Sequence, residues 1–432
     1  MKISIKTITD IIALALMTGG ARSAPLEPVW SLAQKEKPAL MDTLKELVAF
    51  ESGIRELEEL DKIAQHIAKR LQALGGKVEL IEPVEADTVR LSDTPEKIGK
   101  MVKATFTGSG TKKILLMAHM DTVYPKGMAK QQPFKIEGDR AYGLGIADNR
   151  HGIAVIMHTI TMLNAMKFRD YGTLTVFINA DEEIGSPGSR NHHMRLGAAH
   201  DAVMSFESGG NEKEDRLRLA TSGHAIAMLN VRGRASHAGA APERGINALE
   251  ELSHQILQMR NLSDPATGVK VNWTLSRAGI VINMIPPGAQ AQADVRVSRI
   301  ADYDGIEAKL KEAVKNKLLP ESSVELVFER RFPPLEPKPA SRALAAHAQG
   351  IYGELGRKLT VLEDASGGFT DAANASLKTA APVIESFGLH GFGSHTTNAE
   401  FIFMNSIEPR LYLAARMIMD IASGKAPLAP AK

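Results

Sequence analysis

A chain of 432 residues is more than one compact core usually organises, so two domains are expected. Its 44% hydrophobic and 24% charged residues are ordinary for a globular protein in water, and 52 basic against 50 acidic residues leave a formal charge of +2, no electrostatic case for nucleic acid or an anionic membrane. Cysteine is absent, which excludes disulfides and thiolate metal clusters and leaves His, Asp and Glu as the donors for any metal.

The chain opens on "MKISIKTITD", with Lys2 and Lys6, then a short apolar core "IIALALM", then small residues and a break in "TGGARSAPLEP". This is the three-part form of a secretory signal cleaved after Ser23 or Ala24, despite Asp10 at the edge of the core. It predicts a periplasmic or secreted protein. No 18-residue apolar run follows, so no later segment is expected to span a bilayer.

Residues 39–50 have helical spacing, and Ile63, Ala64, Ile67, Ala68, Leu71 and Leu74 mark a stronger amphipathic helix that Gly75 and Gly76 stop. "KVELI", "VKATFTG" and "KKILLMAH" read as strands, "HGIAVIMHTITML" as an apolar helix, and "LTVFINA" and "AVMSFE" as buried strands. Buried strands alternating with helices predict an α/β domain with a mostly parallel sheet covered on both faces. Near Ser222 the texture changes. "GHAIAMLNVRG" and "AQAQADVRV" alternate with the two-residue period of half-exposed strands, and two helices, "GINALEELSHQILQM" and "DYDGIEAKLKEAVKNKL", accompany them. This predicts an inserted α+β unit with antiparallel strands. "RRFPPLEPKP" crosses back, after which a helix from Ser341, the turn "SGGFTD", the strand "PVIES" and a helix from Ser406 resume the first texture. The expected boundaries are a signal at 1–24, a catalytic domain at 25–221 and 333–424, an inserted domain at 222–332 and a loose tail at 425–432. Trp30 and Trp273 read as packing.

Ligands bind at the carboxyl ends of strands in open α/β sheets. At those ends lie His119 and Asp121, Glu182 and Glu183 in "NADEEIGSPGS", and Glu207. Asp148 lies in the glycine-rich "GLGIADN", and His390 and His395 lie in "GLHGFGSHTT". Singly, each reads as a turn residue, a cap or a solvated side chain. Together, oxygen and imidazole donors converging on one sheet edge suit zinc or a similar divalent ion. His119 and Asp121 are two apart in extended chain and face the same way, so Asp121 can hold one imidazole nitrogen while the other binds metal.

The stretches "LLMAHMDTVYPKG", "AYGLGIADN", "NADEEIGSPGSR", "SFES", "GRASHAGAAPERGINA", "NMIPPGA", "GGFTDAA" and "GSHTTNAEF" occur in the order of the motifs of the co-catalytic zinc exopeptidases, from about residue 40 to 419. The sequence resembles that family. It holds glutamate carboxypeptidases of the carboxypeptidase G type, dipeptidases, aminoacylases and the succinyl-diaminopimelate desuccinylase, and the likeness is strongest to the first. The resemblance implies two zinc ions per subunit bridged by Asp148, with His119 and Glu207 on one and Glu183 and His395 on the other. It implies Glu182 as general base and proton donor and Asp121 as the orienter of His119. It implies His237 as an oxyanion stabiliser reaching across a homodimer, Asn283, Arg296 and Gly368 as substrate contacts, and the inserted domain as the dimer interface. His390 is left as structural.

Three positions depart from the family pattern. Asn149-Arg150 stands where many relatives carry a second acid and a lysine, Phe369 stands in place of a third glycine, and Phe332 precedes Pro333 where folate-cleaving relatives have arginine. The phenylalanines are expected to narrow the substrate pocket or favour an apolar side chain.

The expectation is a zinc exopeptidase that cleaves the amide bond to a C-terminal amino acid, with glutamate from folates or N-acyl-glutamates as the leaving residue. Its rivals are an aminoacylase or dipeptidase of the same family and a non-catalytic periplasmic binding protein.

Overall fold

The computed structural model describes residues 24–365, 367–396 and 398–429. Of the expected signal segment, all but Ala24 lies outside these residues. No helix among the described residues is long and apolar enough to cross a membrane.

In chain order the first part runs α1 Val29–Val48, α2 Leu57–Ala73, β1 Lys77–Ile81, β2 Met101–Thr107, β3 Lys113–His119, β4 Lys135–Glu137, β5 Arg140–Tyr142, α3 His151–Ala165, β6 Thr173–Asn179, α4 Arg190–Ala199, β7 Ala202–Ser205, β8 Gly210–Asn211 and β9 Glu214–Arg218. The middle part is β10 Gly223–Arg232, α5 Ala248–Met259, β11 Lys270–Ala278, β12 Gly288–Val297, α6 Ala301–Ala313 and β13 Ser323–Phe332. The last part is α7 Pro339–Glu354, β14 Leu359–Leu362, α8 Asp371–Ser376, β15 Val383–Ile384, β16 Gly391–Phe392, β17 Phe401–Phe403 and α9 Ile407–Ala422.

The main sheet has the order β1-β2-β6-β3-β7-β15. β6, β3, β7 and β15 are parallel, while β1 and β2 form an antiparallel edge. β3 shows why the centre reads as a continuous apolar run. Ile114, Leu116 and Ala118 enter one core, with side chains of α1, α3 and α9, and Leu115 and Met117 enter a second, with Ala372, Ala373 and Ala375 of α8. Each large side chain of this kind contributes about 1.5–3 kcal/mol on full burial, and a slip of β3 by one residue would exchange the two sets between cores packed for different side chains.

β10 to β13 form an antiparallel sheet of order β11-β12-β10-β13. Ala225, Ala227, Leu229 and Val231 alternate inward against Leu252 and Met259 of α5 and Tyr303, Ile306 and Leu310 of α6. The architecture is therefore a mixed α/β unit interrupted by a smaller antiparallel one. The chain crosses out and back side by side, with Thr221 bridged to Leu335.

Several details differ from the sequence expectation. α1 starts at Val29, well before residue 39. Pro38 within it interrupts the helical signature, and Trp30 packs edge-on to Tyr412 with 5.8 Å between ring centroids. The tail is not loose over its first residues, since Ala426 is buried and Leu428 packs on the main core. Two small sheets were not anticipated, β14-β9-β8 and β16-β17-β5-β4. The second sets the site. It pairs β17 with both β5 and β16, which brings the turn after β5 and the loop after β16 together.

Candidate metal centre

β3 delivers His119 to the carboxyl edge of the sheet, β6 leads to Glu182 and Glu183, and β7 leads to Glu207. Asp148 lies in the turn Ile146–Arg150 behind Gly145, whose φ of 69° is left-handed and natural to glycine. His395 also has a left-handed φ of 62°. For a non-glycine residue that conformation costs on the order of 1–3 kcal/mol, and such strain collects at functional sites.

His119 Nε2 lies 2.9 Å from Asp148 Oδ1 and 3.3 Å from Glu207 Oε1. His395 Nε2 lies 3.3 Å from Asp148 Oδ2 and 3.2 Å from Glu183 Oε2. The Asp148 carboxylate thus offers one oxygen to each imidazole. The result is two donor groups sharing one residue, His119–Asp148–Glu207 and Asp148–Glu183–His395, each with ligand atoms within 4.8 Å of one another. The donor set is imidazole and carboxylate throughout, which fits zinc or a similar divalent cation.

The electrostatics favour cations at this place. Burial pushes Glu183 up to about 7 and Glu207 up to about 8, with Asp148 adding like charge to both. Burial opposes an extra charge on Asp148 too, but the two imidazoles beside it hold it well below the carboxylate range. Hydrogen bonds to Asp148 and Glu183 raise His395 to about 10. Glu182 is buried, belongs to neither donor group, and is raised well above its ordinary value by burial and then by Asp371, Glu183 and Glu207. A carboxylate of that kind beside metal ligands is suited to take and return a proton.

Supporting residues hold these groups. Asp121, fully buried, has Oδ1 3.3 Å from His119 Nδ1 and accepts the Glu183 backbone N–H on Oδ2 at 3.0 Å. One carboxylate therefore ties a member of each donor group. Asn149 donates from Nδ2 to Glu207 Oε1 at 2.7 Å, a contact that an acid at this position could not make without a shared proton. Arg150 is fully buried and its guanidinium binds the Met120 carbonyl and Ser52 hydroxyl, which places a fixed positive charge beneath the carboxylates.

Two acids escaped the sequence reading. Glu400, buried, accepts Gly145 N–H at 2.8 Å and the Tyr124 hydroxyl at 2.7 Å on Oε2, and Ala147 N–H at 2.8 Å on Oε1. Tyr124 Oη also lies 2.9 Å from the Thr396 carbonyl, so this pair braces both the Asp148 turn and the His395 loop. Glu385, also buried, accepts Glu207 N–H at 3.1 Å and the Thr370 hydroxyl. Asp181, left without a role by the sequence, accepts Gly188 N–H at 2.6 Å, Ser189 N–H at 3.1 Å and the Ser189 hydroxyl at 2.6 Å. It closes the turn that leads into α4.

The remaining candidates fall into two other groups. His237 is exposed, and its Nδ1 accepts Gly239 N–H at 3.2 Å and Ala240 N–H at 3.1 Å, which leaves Nε2 to carry the proton. Asn283 lies next to it, with its carbonyl accepting Ala238 N–H at 3.0 Å. Arg296 donates from Nη1 to the Gly367 carbonyl at 3.0 Å, beside Gly368, whose carbonyl accepts Ser222 N–H at 2.9 Å. Among the described residues no hydrogen bond or ion pair joins either group to the metal-ligand set. His390 stands apart as well. It pairs with buried Asp215 and lies 3.4 Å from Arg410.

Residues 115–420 match the sequence model of peptidase family M20/M25/M40. The chain is 42% identical over 421 residues to carboxypeptidase G2 of Pseudomonas sp. (strain RS-16), covering 97% of this chain and 98% of that one. It is 30% identical over 203 residues to acetylornithine deacetylase of Proteus mirabilis, covering 46% of this chain and 47% of that one. The fold is shared with a tripeptidase from Staphylococcus aureus, at a TM-score of 0.73 and 18% identity, over 90% of this chain and 99% of that one. It is also shared with an M20 family metallo-carboxypeptidase from Sulfolobus solfataricus, at a TM-score of 0.70 and 14% identity, over 89% of this chain and 99% of that one. With its mixed α/β architecture, its paired donor groups and these matches, the chain belongs to peptidase family M20/M25/M40.

Proposed function

We propose that the protein is a two-zinc carboxypeptidase that hydrolyses the amide bond to a C-terminal amino acid, with glutamate released from folates or other N-acyl-glutamates. The observation that carries this reading is the Asp148 carboxylate shared between two imidazole-carboxylate groups, with the buried Glu182 beside them and outside both. Near-full-length similarity to carboxypeptidase G2 supports the reaction class.

His119, Asp148 and Glu207 would hold one ion, and Asp148, Glu183 and His395 the other. Bound there, such a pair would supply Lewis acidity and lower the pKa of water toward neutrality. Glu182 takes the proton of the attacking water and gives it to the leaving amine. Its raised proton affinity suits both halves of that task. Asp121 keeps His119 in the tautomer that presents Nε2 to the metal. His237 supplies an N–H to the developing oxyanion, from the partner subunit of a homodimer formed through the inserted domain at 222–332. Asn283, Arg296 and Gly368 receive the substrate's terminal carboxylate. The N-terminal segment at 1–24 directs the protein to the periplasm or beyond.

The deciding experiment pairs Glu182→Gln with metal analysis. Turnover is expected to fall at least about 10²- to 10⁴-fold while bound metal stays at the parent level. Full activity in the variant would remove Glu182 from the proton-transfer role. A panel of folates, N-acyl amino acids and dipeptides separates the carboxypeptidase from an aminoacylase or dipeptidase. Hydrolysis of none, with metal bound, would favour a non-catalytic binding protein.

A further inference from the structure

Arg296 faces an unusually complete set of partners for a side chain on a half-exposed strand. It lies opposite His224 on β10, and His224 lies opposite Phe332 on β13. Asp294, two residues before Arg296, shares its face of the sheet. Phe332, His224 and Arg296 therefore form a row across three strands at one end of the inserted unit. Phe369 reaches this row from the glycine loop of the main unit. Its ring stacks on Phe332 with centroids 4.5 Å apart and 19° between planes, and on His224 at 5.4 Å and 5°. The Arg296 guanidinium carbon lies 5.2 Å from the same ring centroid. Two positions that depart from the family pattern, Phe332 and Phe369, thus touch each other.

The polar contacts complete the arrangement. Arg296 Nε lies 2.9 Å from Asp294 Oδ1, and Nη2 lies 2.8 Å from Oδ2, a bidentate side-on pair. Asp294 Oδ2 also lies 3.3 Å from His224 Nε2. The Gly367 carbonyl takes one N–H of Arg296 Nη1. A guanidinium has five N–H donors. Among the described residues Asp294 takes two and Gly367 one, which leaves one on each terminal nitrogen. Terminal guanidinium N–H groups are suited to the oxygens of a carboxylate.

We infer that Phe369, His224 and Asp294 are positioning residues that lock Arg296 in the rotamer presenting its two remaining N–H groups, and so set the preference for a free α-carboxylate on the substrate. This rests on the reading of Arg296 as the carboxylate receptor. The physical basis is preorganisation. A free arginine loses rotamer freedom when it clamps a ligand, whereas this one is fixed by a stacked ring, a bidentate acid and a backbone carbonyl before substrate arrives. Asp294 also neutralises part of the arginine charge, so the site is tuned to geometry more than to net charge, and an anion without two suitably placed oxygens gains little.

The test compares kcat/KM for an N-acyl-glutamate and for the same compound with its α-carboxylate converted to the carboxamide. Bound metal and thermal midpoint are followed in every variant. Arg296→Met is expected to erase the carboxylate preference. Phe369→Gly and His224→Leu are expected to reduce it by about 2- to 10-fold, the loss of one preorganised side chain, chiefly through KM for the carboxylate, and Phe369→Tyr to restore it. Equal losses on both substrates in Phe369→Gly and His224→Leu, with Arg296→Met still erasing the preference, would overturn the inference and leave the carboxylate receptor standing. An undiminished preference in Arg296→Met would instead overturn the receptor reading itself.

Discussion

Glu400 supports the geometry of the metal centre without belonging to either donor group. Its two oxygens accept three donors, the Gly145 and Ala147 N–H groups at 2.8 Å each and the Tyr124 hydroxyl at 2.7 Å. All three lie on segments that carry or adjoin Asp148 and His395. Replacing Glu400 by Gln keeps the shape and turns one acceptor oxygen into an amide NH2 with two donors. If the NH2 replaces Oε1, Ala147 N–H faces another donor. If it replaces Oε2, Tyr124 can rotate toward the Thr396 carbonyl, but Gly145 N–H is left facing N–H. Either way one buried backbone donor loses its partner, at about 1–3 kcal/mol.

The turn that carries Asp148 relieves that conflict by moving, and Asp148 is shared by both donor groups. Glu400→Gln is therefore expected to weaken metal binding by roughly 10- to 100-fold, the usual range for an outer support of a metal site, along with a lowered thermal midpoint. Glu400→Ala orphans all three donors and should be worse. Tyr124→Phe keeps both backbone N–H bonds and should be milder. Competition of each variant against a chelator of known zinc affinity gives the dissociation constants. Parent-like affinity in Glu400→Gln, with the fold intact by circular dichroism, would refute the claim that this carboxylate holds the Asp148 turn.

Three histidines separate ligand from scaffold. His119→Ala and His395→Ala should each lose bound metal in elemental analysis. His390→Ala should keep it, and should instead lower the denaturation midpoint because Asp215 loses a buried partner. His151 predicts a pH effect. Burial lowers it to about 4, and its ring is held neutral, with Nε2 3.0 Å from the Ala147 carbonyl and Nδ1 accepting Leu389 N–H at 3.1 Å. Because the folded value lies below the unfolded value of about 6.5, the unfolded chain takes up a proton first. Its stabilisation is complete above that value and is lost as pH falls toward 4, by about 3 kcal/mol in all. Urea midpoints measured from pH 7 to pH 4 should fall more steeply in the parent than in His151→Gln, and identical slopes would remove His151 as the cause.

The sequence reveals the elements whose burial leaves a periodic trace. β3, β6 and α3 are buried on nearly all sides and read as apolar runs, and β10 and β12 alternate cleanly because one face meets α5 and α6 while the other stays half-exposed. The small sheet β16-β17-β5-β4 left no such trace, since its strands are two or three residues long. Yet that sheet brings the Asp148 turn to the His395 loop. Glu400 was hidden for a related reason. Its partners are backbone N–H groups 253 and 255 residues away, and backbone donors carry no sequence signature. Asn149 stands where many relatives carry an acid, and its amide is a donor to Glu207, a role that its departure from the pattern does not show. Phe332 and Phe369 were noted as separate departures, and only the fold makes them one contact.

The run Asp181-Glu182-Glu183 shows how far local sequence reaches. Three adjacent acids after an apolar strand pose one problem in sequence, because like charges repel and burial penalises each. The fold divides them by direction. Asp181 turns toward its own chain, where two backbone N–H groups and the Ser189 hydroxyl meet it. Burial pushes it up to about 6, and it draws on no cation from the site. Glu183 turns toward His395 and Asp148, and its backbone N–H is fixed by Asp121. Glu182 has neither of these supports and is buried with its proton affinity raised. Of three acids, then, one is hydrogen-bonded within its own turn, one is set among the metal donors, and one is left with the property that a proton carrier needs. Which is which depends on Gly188, Ser189, Asp121 and His395, none of which adjoins the run. The acids announce that a cation is needed nearby, but only their partners assign the work.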